Sequence, residues 1–483
     1  MSASGIVAFD TAPGPDVLRF QRILLAMFVG YTAFALCFHG IFYLFEYRNG
    51  DTVAPTSIRL LKDLVWTIVL LFLFYIGAAQ TRMSDNLRLP YNVILLSFCI
   101  WVVAVKIVEC FAYGTYSVML LAVKNLVLYA AMVPLLGMLA QEIRSSLVKQ
   151  ILVVFVAVAF IQVTFSAWLF ASYPEYSFWK DDPYHGFNPF VGFFSNPNRF
   201  GLFLNLAAAV LCTTLVTTSS VMGALFAAAG LLVLALSIFY TAALSQMLVY
   251  IAVLSYATAI LALKMRWRCL RLLAVIVVAI LSIGLVGLDF KSPWPVESHK
   301  GEAELVWDLR NVASLTLYGK TLDGEPFRFT SDSFVNRMKE LTDLRESFGF
   351  RNEREDHGLV ARTPWKQRLL GHPEQMAPAS QSQFAYIYFR YGFVGLFLFA
   401  AVLAIPVVQG FLTLMRRDAE PNASQALLSY HLSLVAFVVT FLGDNGLLDY
   451  PTNFLLFFVI FANQSLVASP DPSRPLAVVK APG

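Results

Sequence analysis

Charge is what this sequence has least of. Of 483 residues, 35 are Lys or Arg and 31 are Asp or Glu, 14% in all, against about 25% in an ordinary soluble domain. That shortfall excludes an ordinary soluble enzyme and a disordered polyelectrolyte. The net charge of +4 is too small to argue for a nucleic-acid partner. Cysteine is scarce as well. Cys37, Cys99, Cys110, Cys212 and Cys269 all lie in or beside apolar stretches, and none falls between residues 289 and 383, so a disulfide scaffold is excluded. No Cys/His cluster has metal-ligand spacing, and no P-loop or dinucleotide-binding glycine pattern occurs. No metal or other cofactor is expected, and an ATP-driven pump is disfavoured.

What the chain has in excess is apolar surface. It is 58% hydrophobic, with 42 Phe and a mean hydropathy of +0.66. A helix that crosses a bilayer needs about 20 mainly apolar residues. Twelve such windows run at approximately 23–45, 64–79, 91–110, 117–140, 151–172, 200–217, 221–239, 244–263, 272–288, 384–414, 426–441 and 451–466. The fold expected is therefore an all-α polytopic membrane protein of about twelve transmembrane helices. The tenth window is too long for one straight span, and Pro406 is expected to kink or end it.

Basic residues alternate with the windows. Fourteen lie at the ends expected to be cytoplasmic, from Arg19 and Arg22 through Arg144, Lys264, Arg268 and Arg271 to Lys480; the short loops opposite hold five, Arg48, Arg59, Lys62, Lys180 and Arg199. By the positive-inside rule both termini are cytoplasmic. The N-terminus has no cleavage-like site before its first apolar run, so the first helix reads as uncleaved. Four regions follow: transmembrane helices 1–9 over residues 1–288, a large periplasmic loop over 289–383, helices 10–12 over 384–470, and a cytoplasmic tail over 471–483. The loop carries thirteen basic and fifteen acidic residues. A hairpin signal around Leu322-Asp323-Gly324 and a capped helix from Ser331 or Asp332 to Gly349 make it a small folded cap.

Two segments could carry chemistry. The first is Gly192-Phe193-Phe194-Ser195-Asn196-Pro197-Asn198-Arg199-Phe200-Gly201, at the outer start of the sixth span. Asn196 suits an N-cap and Pro197 the first helical position. The helix then points its N–H groups and positive dipole end outward, with Arg199 in the first turn, a ready anion site. The alternative is that Asn-Pro-Asn only caps the helix and Arg199 snorkels to headgroups. The second segment runs from Leu370-Gly371-His372-Pro373-Glu374 through Ser380 to Gln383, and on to Gly395. Gln383, Tyr386 and Arg390 share one helix face, and Arg390 falls about two turns inside the span. An intramembrane Arg usually faces a polar cavity or a partner, the alternatives here being snorkelling or a structural ion pair. His357 and His372 are loop histidines, either acid/base groups or simply solvated. Lys106 and Glu109 are spaced for an ion pair, Lys124 either faces a cavity or snorkels, and Ser245-Gln246 open the eighth span. His39 and His431 read as packing residues.

Together these segments resemble the O-antigen ligase and polymerase superfamily of bacterial inner-membrane proteins. The stretch GFFSNPNRFG is similar to its Asn-Pro-Asn segment, and LLGHP followed by SQSQFAYIYFRYGFVG is similar to its second segment, where a late periplasmic loop enters a helix ending in G-x-x-G. The ligases typically have His-Asn where this chain has Ser380 to Gln383, and Ser-Arg where it has Ser245-Gln246. Arg390-Tyr391-Gly392 looks more like the polysaccharide polymerases. The resemblance implies a GT-C-like fold and a metal-independent glycosyltransferase facing the periplasm. Its donor would be a glycan on undecaprenyl pyrophosphate, and its surroundings membrane lipids, a flippase and a chain-length regulator. Polymerisation of lipid-linked repeat units into O-antigen or exopolysaccharide is the reading favoured. The alternatives are ligation to lipid A core and transport of lipid-linked sugars. On this reading Arg199, Asn196, Asn198, Gln246, Gln383 and Tyr386 bind substrate. Arg390 acts in catalysis, with His372 or Glu374 as the base that takes the acceptor hydroxyl proton.

Overall fold

In the computed structural model the residues described are 15–49, 56–79, 86–113, 123–172, 192–194, 197–241, 243–264, 267–289, 369–371, 382–416, 421–443, 447 and 450–468. They are mainly helical, with no strand among them. Among the described residues twelve principal helical segments appear: α1 (Pro15–Asn49), α2 (Thr56–Ala79), α3 (Pro90–Tyr113), α4 (123–137), α5 (Gln141–Ser172), α6 (Pro197–Thr217), α7 (Val221–Tyr240), α8 (Leu244–Leu263), α9 (Cys269–Asp289), α10 (Gln383–Arg416), α11 (Pro421–Gly443) and α12 (Thr452–Ala468). Among the described residues eight helices are long and apolar enough to cross a membrane, and three more apolar helices are shorter. This is a polytopic α-helical membrane protein. The folded cap expected between residues 289 and 383 lies outside the described residues, apart from 289, 369–371 and 382–383.

The helix boundaries follow local chemistry. α1, α3, α6 and α11 each begin on a proline, whose fixed φ and missing N–H suit a first helical position. Ser220 caps α7 by accepting from the Gly223 N–H at 3.3 Å. At the far end of α6, Arg268 donates to the carbonyls of Val216 and Thr217, and Arg271 to those of Leu215 and Thr218. Two cations thus satisfy carbonyls that the helix itself cannot.

Burial sorts the helices. α6 is enclosed, with 17 of its 21 residues buried, and it packs against α5, α7, α8, α9 and α11. α7 by contrast turns Val221, Met222, Leu225 and Phe226 outward, the face expected of a helix bordered by lipid. α11 joins the α6 group to a second group in which α10 packs on α3, α11 and α12, and α12 on α4.

Two segments depart from the simple picture. α4 is broken: it starts with π-helical residues Val123–Val127, then continues as Leu128–Ala130 and Met132–Gly137. α10 is interrupted at Gly392, which has φ 67° and ψ −170°, and not at Pro406, which stays inside the helix. The bend is large. Phe384 and Phe399 hold their ring centroids 5.7 Å apart, whereas fifteen residues of straight helix would separate them by about 22 Å. Residues 383–391 therefore form a short helix folded back against residues 393–416, and the second piece alone is long enough to span a bilayer. This corrects the expected placement of Arg390 two turns inside one long span.

Candidate functional site

The turn before α6 is fixed from α5. Gln162 accepts from the Phe193 N–H at 3.1 Å while its amide donates to the Leu36 carbonyl of α1 at 3.0 Å. Ser166 accepts from the Gly192 N–H at 2.9 Å. Gly192 has φ 59°, and a Cβ there would meet Gln162 and the Phe200 ring, so only glycine fits. Phe194 stacks on Phe200 and Phe203. These contacts aim the first turn of α6.

That turn meets α8. The Ser245 hydroxyl donates to Asn198 Oδ1 at 3.3 Å. The Asn205 amide donates to the Gln246 carbonyl at 3.0 Å and to its Oε1 at 3.3 Å. Gly201 lets the helices close: a Cβ there would lie 2.7 Å from the Cβ and Cγ of Gln246. Thr440 of α11 reaches the same Gln246 Oε1 at 3.5 Å. The next residue, Phe441, accepts from Ser382 at 3.3 Å, and Gln383 Oε1 accepts from the Leu447 N–H at 2.8 Å. The starts of α6, α8 and α10 and the end of α11 thus form one polar belt at one end of the bundle. Arg199 is buried in its first turn. The belt unites three of the sequence candidates, Asn198, Gln246 and Gln383, and Arg199 lies in the same helix turn as Asn198. Asn196 lies outside the described residues.

A second polar group surrounds the break in α10. A Cβ on Gly371 would overlap the Arg390 carbonyl, and one on Gly392 would overlap the Leu369 carbonyl. Two glycines with positive φ thus let the chain at 369–371 lie on the backbone at 390–392. The Arg390 guanidinium sits over the Tyr386 ring at 5.4 Å, as helix neighbours four residues apart should. Lys106 and Glu109 of α3 form a buried pair at 2.8 Å, and Lys106 lies 5.7 Å from the Tyr391 ring centroid. The spacing argument for that pair holds. His372 and Glu374, the expected base candidates, and His357 lie outside the described residues.

A third group was missed by sequence reasoning. Asp63 is contacted by Lys62 at 3.3 Å and by Lys124, so Lys124 faces a carboxylate. Lys62 is buried over the Tyr450 ring at 4.1 Å. Beneath them Trp66 stacks on both Tyr31 and Tyr129, each at 5.1 Å. The signal available was an acid-base pair directly preceding an apolar window. Thr440 and Asn205 gave no signal, because an uncharged polar residue inside a span is indistinguishable from one that bonds its own helix. His431, expected to be a packing residue, is fully buried with its Nε2 2.9 Å from the Tyr256 hydroxyl.

Among the described residues these groups hold the cations Arg199, Arg390, Lys106, Lys62 and Lys124 and the carboxylates Glu109 and Asp63, with Lys106 paired to Glu109 and Lys62 and Lys124 to Asp63. Among the described residues no group of three or more His, Cys, Asp or Glu side chains is placed to hold a metal ion. No protein-family model matches the chain, and no curated protein matches it.

Proposed function

We propose that the chain is a multi-pass protein of the bacterial inner membrane, with twelve spans and both termini cytoplasmic, that polymerises undecaprenyl-pyrophosphate-linked oligosaccharide units at the periplasmic face. The observation that carries this reading is the polar belt of Asn198, Ser245, Gln246, Thr440, Ser382 and Gln383. It links the cationic start of α6 to the helix entered from the 289–383 loop. On this reading the pyrophosphate leaves against Arg199 and the N–H groups of the α6 first turn. Charge develops there in the transition state, and a cation already in place lowers the barrier. Arg390 and Tyr386 border the acceptor side, and His372 or Glu374 removes the acceptor proton. The transfer balances without a nucleotide: one glycosidic bond forms as the sugar–pyrophosphate bond breaks. No metal is needed, because side-chain cations neutralise the leaving group.

The test is a glycan gel beside an immunoblot. Arg199→Ala should abolish polymer while the protein still accumulates, and Arg199→Lys should recover it only partly, since an ammonium lacks the guanidinium fork. His372→Ala or Glu374→Ala should lower the rate by about 10²–10⁴-fold for the true base. Normal polymer from Arg199→Ala defeats the proposal. Transfer of glycan to lipid A core would identify a ligase instead. A transporter of lipid-linked sugars is favoured by one feature, the helix broken at Gly392 beside a buried ion pair. Movement of labelled lipid-linked sugar across vesicles, without new glycosidic bonds, would establish that reading.

A further inference from the structure

The opposite end of the bundle holds a group of donors that the proposed reaction does not use. α5 begins at Gln141 and runs for 32 residues. Gln21 of α1 is fully buried, and its Oε1 accepts from the Ala140 N–H at 3.1 Å, directly before that helix. Arg144, one turn further on, is 8% exposed, and its backbone N–H bonds the Ala140 carbonyl at 2.9 Å. Helical side chains lean toward the N-terminus, which directs Arg144 toward the turn that Gln21 caps. Among the described residues Gln21 Nε2 and Arg144 Nε and Nη1 have no hydrogen-bond partner. Glu142, in the same turn, does not answer them: its exposed carboxylate lies 3.8 Å from Arg22.

Every group in this set is a donor, and the positive end of a long helix lies behind them. The complementary ligand has only acceptor oxygens and a negative charge. Burying an Arg with two unmet guanidinium nitrogens is strongly unfavourable unless such a ligand takes them. Val17 and Ile23 on α1 are exposed beside this turn, giving it a border of the kind lipid chains cover. We propose that the start of α5, with Gln21 and Arg144, is a phosphate-binding site, filled by a phospholipid headgroup or by free phosphate.

Purified full-length protein in detergent is titrated with dioctanoyl phosphatidylglycerol, with inorganic phosphate and with dioctanoylglycerol, and the thermal unfolding midpoint is read. The phospholipid should raise the midpoint and the phosphate-free lipid should not. A response to inorganic phosphate identifies the free anion as sufficient; a response to the phospholipid alone identifies the headgroup as the source. Arg144→Gln should weaken the effect at least about tenfold, the loss of one charge-assisted contact. Gln21→Glu keeps the acceptor for Ala140 and places a carboxylate in the site. It should raise the midpoint without ligand and abolish the phosphate response, which keeps the test decisive if Arg144→Gln does not accumulate. No response to either phosphate compound, or a response unchanged in Gln21→Glu, overturns the proposal.

Discussion

The indole N–H of Trp101 donates to the carbonyl of Tyr391 at 2.8 Å, across 290 residues of sequence. Tyr391 is the last residue before Gly392 breaks α10, so its carbonyl is one that the interrupted helix leaves without its usual partner. In a membrane interior such a group must be satisfied by protein, and α3 supplies the donor. The bend that folds 383–391 back is therefore held by three things: a glycine backbone, the docked chain at 369–371, and one indole.

Trp101→Phe removes only the donor. It should cost about 1–3 kcal/mol and lower the unfolding midpoint of the purified protein, leaving the fold intact. Gly392→Ala should be far worse, because its φ of 67° is unfavourable for alanine and the new Cβ would overlap the Leu369 carbonyl. An immunoblot of membranes should show little Gly392→Ala protein. Normal accumulation would mean that the bend does not depend on this residue.

Gly201 and Gln246 make a testable pair. Gly201→Ala places a Cβ 2.7 Å from two Gln246 side-chain atoms and should destabilise the α6–α8 contact by about 1–3 kcal/mol. Gln246→Ala removes Cγ and the amide but keeps Cβ, so the double variant should recover part of the loss, with a coupling of at least about 0.5 kcal/mol. Additive losses in a thermal double-mutant cycle would show that the two helices do not meet there.

Lys106 and Glu109 test what a buried pair contributes. Lys106→Met or Glu109→Gln breaks this buried pair from one side and should cost about 3–5 kcal/mol. Lys106→Met combined with Glu109→Gln removes both charges and should be milder than either single change if the pair is only structural. Protein level and unfolding midpoint report this directly. A double variant that accumulates normally yet gives no glycan product would assign the pair to the reaction.

Much of the architecture was legible from the chain. The apolar windows mark the helical segments, since a bilayer solvent demands long apolar runs and little else. The beginning of α6 at Pro197 was legible because proline's fixed φ acts locally. The i, i+3 pairing of Lys106 with Glu109 and the i, i+4 contact of Arg390 with Tyr386 were legible for the same reason. The break in α10 was not. Intrinsic preference pointed to Pro406, but a membrane helix can accommodate proline when neighbouring groups compensate for its lost hydrogen bond. The true break at Gly392 is set by chain arriving at 369–371 and by an indole from α3, neither of which is local.

The division is clearest at the polar belt. Sequence alone determined that the chain is a membrane protein, roughly where its helices run, and that Asn198, Gln246 and Gln383 stand near helix starts, because solvent preference and helix periodicity act within about 20 residues. Only the tertiary structure decided that these residues join one network, that Thr440 and Ser382 complete it, and that Asp63 takes Lys124. Those contacts span up to 200 residues or so. Hydrogen bonds between helices depend on which faces pack together, and many shallow, similarly apolar faces compete for that role until the whole bundle is assembled.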